Sequence, residues 1–212
     1  MFHVNILFAR FTEHFAQSVW DSYLSLLPID LQKKNSCFLR WQDRHSHLIG
    51  KLLLKKGLKE IGHEKSLAEL KYSQYGRPYF NEKFDFNISH SENYVICAIG
   101  NDVRLGIDIE KVEKINLSEF VSILRTEEWN KIVNSTKPTS SFFQYWTIKE
   151  SVIKANGKGL STPLKDIYIK NEKAYLNKEI WFLKKIQIDK DYSCCLATNN
   201  FETNLQICEI IF

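Results

Sequence analysis

The stretch RLGIDIEK, residues 104–111, alternates apolar and non-apolar side chains with the period of a β-strand, and two of the alternate positions are acids. Gly106, Asp108 and Glu110 therefore share one face, while Leu105, Ile107 and Ile109 form the other and turn towards a core. The two carboxylates stand about 7 Å apart at Cα. With charge centres about 4 Å apart, their repulsion would be roughly 4 kcal/mol at an effective dielectric of 20. A chain that buries such a strand must supply a positive charge or let one acid keep its proton. The other possibility is a strand end whose acids are simply solvated.

A third acid points the same way. In FFQYWTIKESVIKANG, residues 142–157, Phe142, Phe143, Trp146 and Ile153 mark the buried stripe of a helix, and Glu150 lies on it, four residues after Trp146 and three before Ile153. Three inward acids with no histidine or thiolate beside them make a hard oxygen site, suited to Mg²⁺ completed by water and by phosphate oxygens of a ligand. Alternatively, Glu150 only pairs with Lys154 one turn on.

The rest of the 212-residue chain can enclose these groups: 44% of it is hydrophobic and 13% aromatic, enough for one large or two small domains. A net charge of +4 suits an anionic small ligand or an acidic partner, and no dense basic stripe marks a nucleic-acid binder. The five cysteines, Cys37, Cys97, Cys194, Cys195 and Cys208, form no C-x-x-C pair and favour a reducing cytoplasm. The opening MFHVNILFARF lacks a basic leader and a small-residue cleavage site, and no segment approaches the ~18 apolar residues needed to cross a bilayer. A cytoplasmic protein without a membrane partner is expected.

Periodicity predicts a strand over 2–9, a helix over 47–62 stopping at Gly62, an extended YGRPYF segment, and two strands over 84–100. A strand over 103–110, a helix over 117–133, a Ser/Thr/Pro loop over 134–141, the helix over 142–157 and short strands follow. NYVICAIG (93–100) and DYSCCLAT (191–198) echo each other, which hints at two similar α+β units joined near residue 101. GKGL (157–160) is a helix stop and not a phosphate loop, because its glycines follow a helix where a Walker motif's precede one.

FNISHS (86–91), GIDIE (106–110) and WTIKESVIKANGKGL (146–160), in this order, resemble the motifs of the 4′-phosphopantetheinyl transferase superfamily, in its surfactin-synthetase-activating branch. The resemblance implies an α+β pseudo-dimer of two similar subdomains, 1–101 and 102–212, with the active site at their interface and the metal site carried by the second. It implies transfer of the phosphopantetheine arm of coenzyme A to a serine of an acyl, peptidyl or aryl carrier protein, with release of adenosine 3′,5′-bisphosphate. Asp108, Glu110 and Glu150 match the Mg²⁺ ligands, with Mn²⁺ also possible, and Glu150 the general base. Lys154 matches the lysine on the coenzyme A phosphates, and Ser89 and His90 the pair that binds their end.

Lys33, Lys34, Arg40 and Arg44 fall where the family places cations for the ligand, and all four suit a solvated face equally well. Arg44 and His47 lie one turn apart and can face one ligand. Arg77 and Pro78 of GRPYF fall in the segment that lines the nucleotide pocket, with Arg77 where the family usually has lysine. Lys158 is a further ligand candidate, and the segment over 117–133 is where the carrier is expected to dock. The chain is expected to act as a monomer. A metal-dependent nucleotide phosphohydrolase and a non-catalytic module that binds coenzyme A or a carrier are the alternatives.

Overall fold

The computed structural model describes residues 2–212, the side chain of Leu160 excepted. The first half runs β1 (Phe2–Arg10), α1 (Gln17–Ser25), α2 (Ile29–Ser36), α3 (Trp41–Glu60), the small hairpin β2 (Lys71–Tyr72) and β3 (Pro78–Tyr79), β4 (Phe84–Ser91) and β5 (Tyr94–Asn101). The second runs β6 (Leu105–Lys111), α4 (Thr126–Val133), α5 (Pro138–Asn156), β7 (Tyr168–Lys170), β8 (Lys173–Leu176), β9 (Glu179–Lys185), β10 (Tyr192–Thr198) and β11 (Thr203–Glu209).

Two larger sheets form, in the orders β11-β1-β5-β4 and β6-β10-β9-β8-β7. The faint internal echo is visible in this topology. Strand, helix, strand, strand (β1, α3, β4, β5) yields β1-β5-β4, and the same succession (β6, α5, β9, β10) yields β6-β10-β9. The two echoing segments are β5 and β10, each antiparallel to the first strand of its half. β11 breaks the symmetry by returning to lie parallel beside β1, from Phe2↔Thr203 to Phe8↔Glu209. Residues 203–209, from the far end of the chain, thus complete the first sheet.

The layers are helix, sheet, sheet, helix. Leu48, Ile49 and Leu53 of α3 pack on Leu7, Val95 and Ile99. Between the sheets, Val4, Ile6, Ile96 and Ala98 meet Leu105, Ile107, Ile109 and Leu196, so the apolar face of β6 is the core face. On the far side, Val152, Ile153 and Ala155 of α5 cover Leu183, Cys195 and Ala197. Each leucine, isoleucine or valine among them, fully buried, contributes about 1.5–3 kcal/mol.

Three expected boundaries shift. The segment over 117–133 is not one helix: a single turn at Leu117–Phe120 precedes α4, which starts only at Thr126. The cause is Glu128, whose carboxylate accepts the Arg125 N–H at 3.1 Å and pairs with the wholly buried Lys149 ammonium at 2.9 Å, so a partner on α5 sets where the helix begins. α5 itself starts at Pro138, inside the expected loop, because proline in the first helical turn loses no hydrogen bond. α3 extends back to Trp41, and α1 and α2 were not anticipated. The end of α5 is as expected, with Gly157 in the left-handed region at φ 80°.

Candidate active site

The acids are gathered where β4 and β6, edge strands of the two sheets, meet. α5 lies directly on β6 because residue 106 is glycine: a Cβ there would collide with the Ser151 carbonyl oxygen and the Ala155 nitrogen. Two residues along the same face, Asp108 is 2% exposed, and its Oδ1 accepts hydrogen bonds from Lys154 Nζ at 2.6 Å and Ser89 Oγ at 3.0 Å. Lys154 also donates to Ser89 Oγ at 2.8 Å. Glu110, half-buried, accepts from Ser91 Oγ at 3.0 Å. Half-buried Glu150 stands one turn before Lys154 on α5.

The junction has an unusual seam. Asp85, Asn87, Ser89 and Ser91 alternate along β4, and their side chains accept the N–H groups of Leu105, Ile107, Ile109 and Lys111 at 2.9, 2.9, 3.5 and 3.0 Å. A row of side chains thus satisfies the free edge of β6, as a neighbouring strand's carbonyls otherwise would. Arg77 reinforces it: Nη2 donates to both Asp85 oxygens at 3.0 and 2.9 Å and to the Leu105 carbonyl at 2.8 Å, tying the β2–β3 hairpin to both strands.

Charge in this cluster is unbalanced. Burial pushes the Asp108 carboxyl up, against the pull of Lys154. Burial, and then the Asp108 charge, push Glu110 up to about 7 and raise Glu150 as well. Among the described residues, Lys154 is the one ammonium whose charge acts on all three carboxyl groups. Among the described residues, no three or more His, Cys, Asp or Glu already form a metal cage. The donor set nonetheless fits a hard divalent cation: it offers oxygen only, and Asp108 Oδ2 is buried with no hydrogen-bond partner. A cavity of about 270 Å³ adjoins it, between the hairpin (Tyr75, Arg77, Pro78) and α5 (Glu150, Lys154), with Asn87 on its wall.

Residues 104–197 match the 4′-phosphopantetheinyl transferase superfamily, and residues 15–101 match the N-terminal part of a 4′-phosphopantetheinyl transferase. The chain is 30% identical to the 4′-phosphopantetheinyl transferase gsp of Aneurinibacillus migulanus, over 98% of this chain and 91% of that one. The chain belongs to the 4′-phosphopantetheinyl transferase superfamily. The transferase is also 28% identical to 4′-phosphopantetheinyl transferase Sfp of Bacillus subtilis (strain 168), over 87% of this chain and 88% of that one, which places it in the surfactin-synthetase-activating branch. The holo-[acyl-carrier-protein] synthase of Thermotoga maritima superposes in part, at a TM-score of 0.37 with 20% identity, covering 44% of this chain and 61% of that one.

Of the residues singled out in the sequence, Ser89, Asp108 and Lys154 are joined by hydrogen bonds, Glu110 and Glu150 lie within reach of the Asp108 charge, and Glu150 and Lys154 share a cavity wall with Arg77 and Pro78. Lys154 reaches Asp108 on the neighbouring strand and forms no ion pair with Glu150 among the described residues. His90 is exposed near the end of β4. Arg44 is exposed on α3, donating from Nε to the Phe38 carbonyl at 2.8 Å. His47 belongs to a grouping with Lys34 and Lys51: burial first, then the charges of Lys51 and Lys34, lower it to about 4. Its Nδ1 accepts from Asn35 Nδ2 at 3.1 Å.

Sequence reasoning missed Lys51, Asn87 and Ser91. Lys51 is 8% exposed and is lowered to about 8 by burial and then by Lys34. Its signal was the four-residue spacing from His47. For Asn87 and Ser91 the signal was the polar alternation within FDFNISHS.

Proposed function

We propose that the chain transfers 4′-phosphopantetheine from coenzyme A to the serine hydroxyl of an apo acyl, peptidyl or aryl carrier protein and releases adenosine 3′,5′-bisphosphate. The observation that carries this reading is the meeting of three carboxylates with the Ser89 hydroxyl and the Lys154 ammonium, beside a cavity of about 270 Å³. Asp108, Glu110 and Glu150 would hold Mg²⁺ or Mn²⁺, directly or through water. Bound there, the cation would neutralise a pyrophosphate and the charge that builds on the leaving group.

The chain's own residues would do the rest. Lys154, movable between Asp108 and a phosphate oxygen, binds the pyrophosphate, and Ser89 and His90 take the phosphate end of coenzyme A. Arg77 and Pro78 shape the nucleotide wall, while farther along α3 Arg44 supplies a cation and His47, kept neutral by its lowered pKa, a ring nitrogen. Glu150 accepts the proton of the serine hydroxyl, a task for which its raised pKa has the right direction. The serine oxygen bonds to the phosphorus of the phosphopantetheine arm, and the bond from that phosphorus to the bridging oxygen breaks, its electron pair leaving with the bisphosphate. Such a transfer depends on position and charge neutralisation more than on covalent help. Both sides of the cluster come from one chain, which supports action as a monomer. The five free cysteines suit the cytoplasm.

The test is a panel of apo carrier proteins incubated with the protein, coenzyme A and Mg²⁺, with the mass of each carrier measured. The expected result is a carrier heavier by one phosphopantetheine. Unchanged masses across the panel would overturn the proposal, and adenosine bisphosphate released without any carrier would mark a phosphohydrolase.

A further inference from the structure

Ser91 closes β4, and its hydroxyl has two engagements: it accepts the Lys111 N–H at 3.0 Å and donates its own proton to Glu110 Oε2 at 3.0 Å. A hydroxyl whose lone pair is taken by a fixed backbone donor has little freedom left in where its proton points. Ser89 makes the same pair of contacts one step earlier, from the Ile109 N–H at 3.5 Å and to Asp108 Oδ1 at 3.0 Å. Two serines spaced by two on β4 therefore face two acids spaced by two on β6. The pleats match because each strand is locked from its other side, Ser89↔Ile96 and Ser91↔Tyr94 on β5, Asp108↔Cys195 and Glu110↔Ser193 on β10.

The two acids differ in what else holds them. Asp108 also has Lys154 at 2.6 Å. For Glu110, the Ser91 hydroxyl is the one side-chain hydrogen bond among the described residues, on a longer and half-buried side chain that Asp108 and Glu150 repel. Without it, repulsion and regained rotamer freedom would both swing the carboxylate towards water.

We infer that Ser91 is a positioning residue for Glu110, holding its carboxylate beside Asp108 and Glu150 so that the three can share one divalent cation. The inference rests on the metal reading above. The hydroxyl thus both satisfies the edge of β6 and orients a ligand, as outer partners of metal ligands commonly do.

The test uses Mn²⁺ alone as probe, its binding to the full chain followed by electron paramagnetic resonance, with thermal unfolding recorded in parallel. Ser91→Ala is expected to weaken Mn²⁺ binding by about 10-fold, while Ser91→Thr, which keeps both hydrogen bonds, binds as the wild type does. Should the alanine variant not fold, Ser91→Cys, of similar volume and with only a weak donor, takes its place with the same expected direction. Wild-type affinity in the variant lacking the hydroxyl overturns the role of Ser91 and leaves the metal reading standing. A wild type that binds no Mn²⁺ overturns both.

Discussion

Gly106→Ala tests the close approach on which the site's geometry depends. The added methyl would collide with two backbone atoms of α5, at Ser151 and Ala155, and lie 2.9 Å from the Lys154 carbonyl carbon. None of these is the end of a flexible side chain, so relief requires the helix to retreat, by on the order of 1 Å. Overpacking of this kind costs about 3 kcal/mol. Alanine's smaller unfolded-state entropy returns up to about 1 kcal/mol. The net loss of about 2 kcal/mol would lower Tm by roughly 4–8 °C in a chain of this size. The same retreat carries Lys154 and Glu150 away from Asp108, and a misplacement of about 1 Å is worth roughly 10²-fold in turnover. Urea unfolding at constant m-value measures the first effect, and carrier modification at 25 °C, where the variant remains folded, measures the second. An unfolding midpoint and turnover both at the wild-type value would refute the reasoning, since the strand and helix would then tolerate a side chain between them.

Other expectations follow from single contacts. Lys149→Met leaves the Glu128 carboxylate buried without its partner and should cost about 3–5 kcal/mol, whereas Lys149→Met combined with Glu128→Leu should recover most of it. Equal losses in the single and double variants, read from urea midpoints, would contradict this. Arg77→Lys, whose ammonium ends short of the Nη2 that meets both Asp85 oxygens and the Leu105 carbonyl, should cost about 1–2 kcal/mol together with a raised KM for coenzyme A. An unchanged KM would remove the hairpin tie from the account. Folded His47 is lowered to about 4, below the 6.5 of an ordinary histidine, so the unfolded chain binds more protons between these values. Its contribution is whole above pH 6.5 and is lost as pH falls towards 4, about 1–3 kcal/mol after allowance for partial exposure. The stability–pH slope of His47→Gln should be shallower over that window, and identical slopes would argue against the shift.

The structure also shows where reading along the chain stops being sufficient. The helix start at Thr126 depends on Glu128 meeting Lys149, 21 residues away, and nothing in the local pattern of 117–133 announces it. The start of α5 at Pro138 was a local signal passed over, since proline favours a first helical turn as much as it suits a loop. The pairing of Lys154 is instructive in another way. Spacing offered Glu150, one turn back on the same helix, and the fold gives Asp108 at 2.6 Å, because Gly106 lets α5 descend until the lysine overhangs the neighbouring strand.

The sequence by itself determined the faces. The period of two put Asp108 and Glu110 on one side of β6, helical spacing put Glu150 on the inward stripe of α5, and Gly157 ended that helix. Each of these is local, set by where successive side chains must point once the backbone is regular. Only the tertiary structure decided what those faces meet: β4 side chains closing the edge of β6, Lys154 on Asp108, Ser91 on Glu110, and β11 returning to β1. These partners lie far apart along the chain, and the geometry that joins them exists only after the two halves have packed.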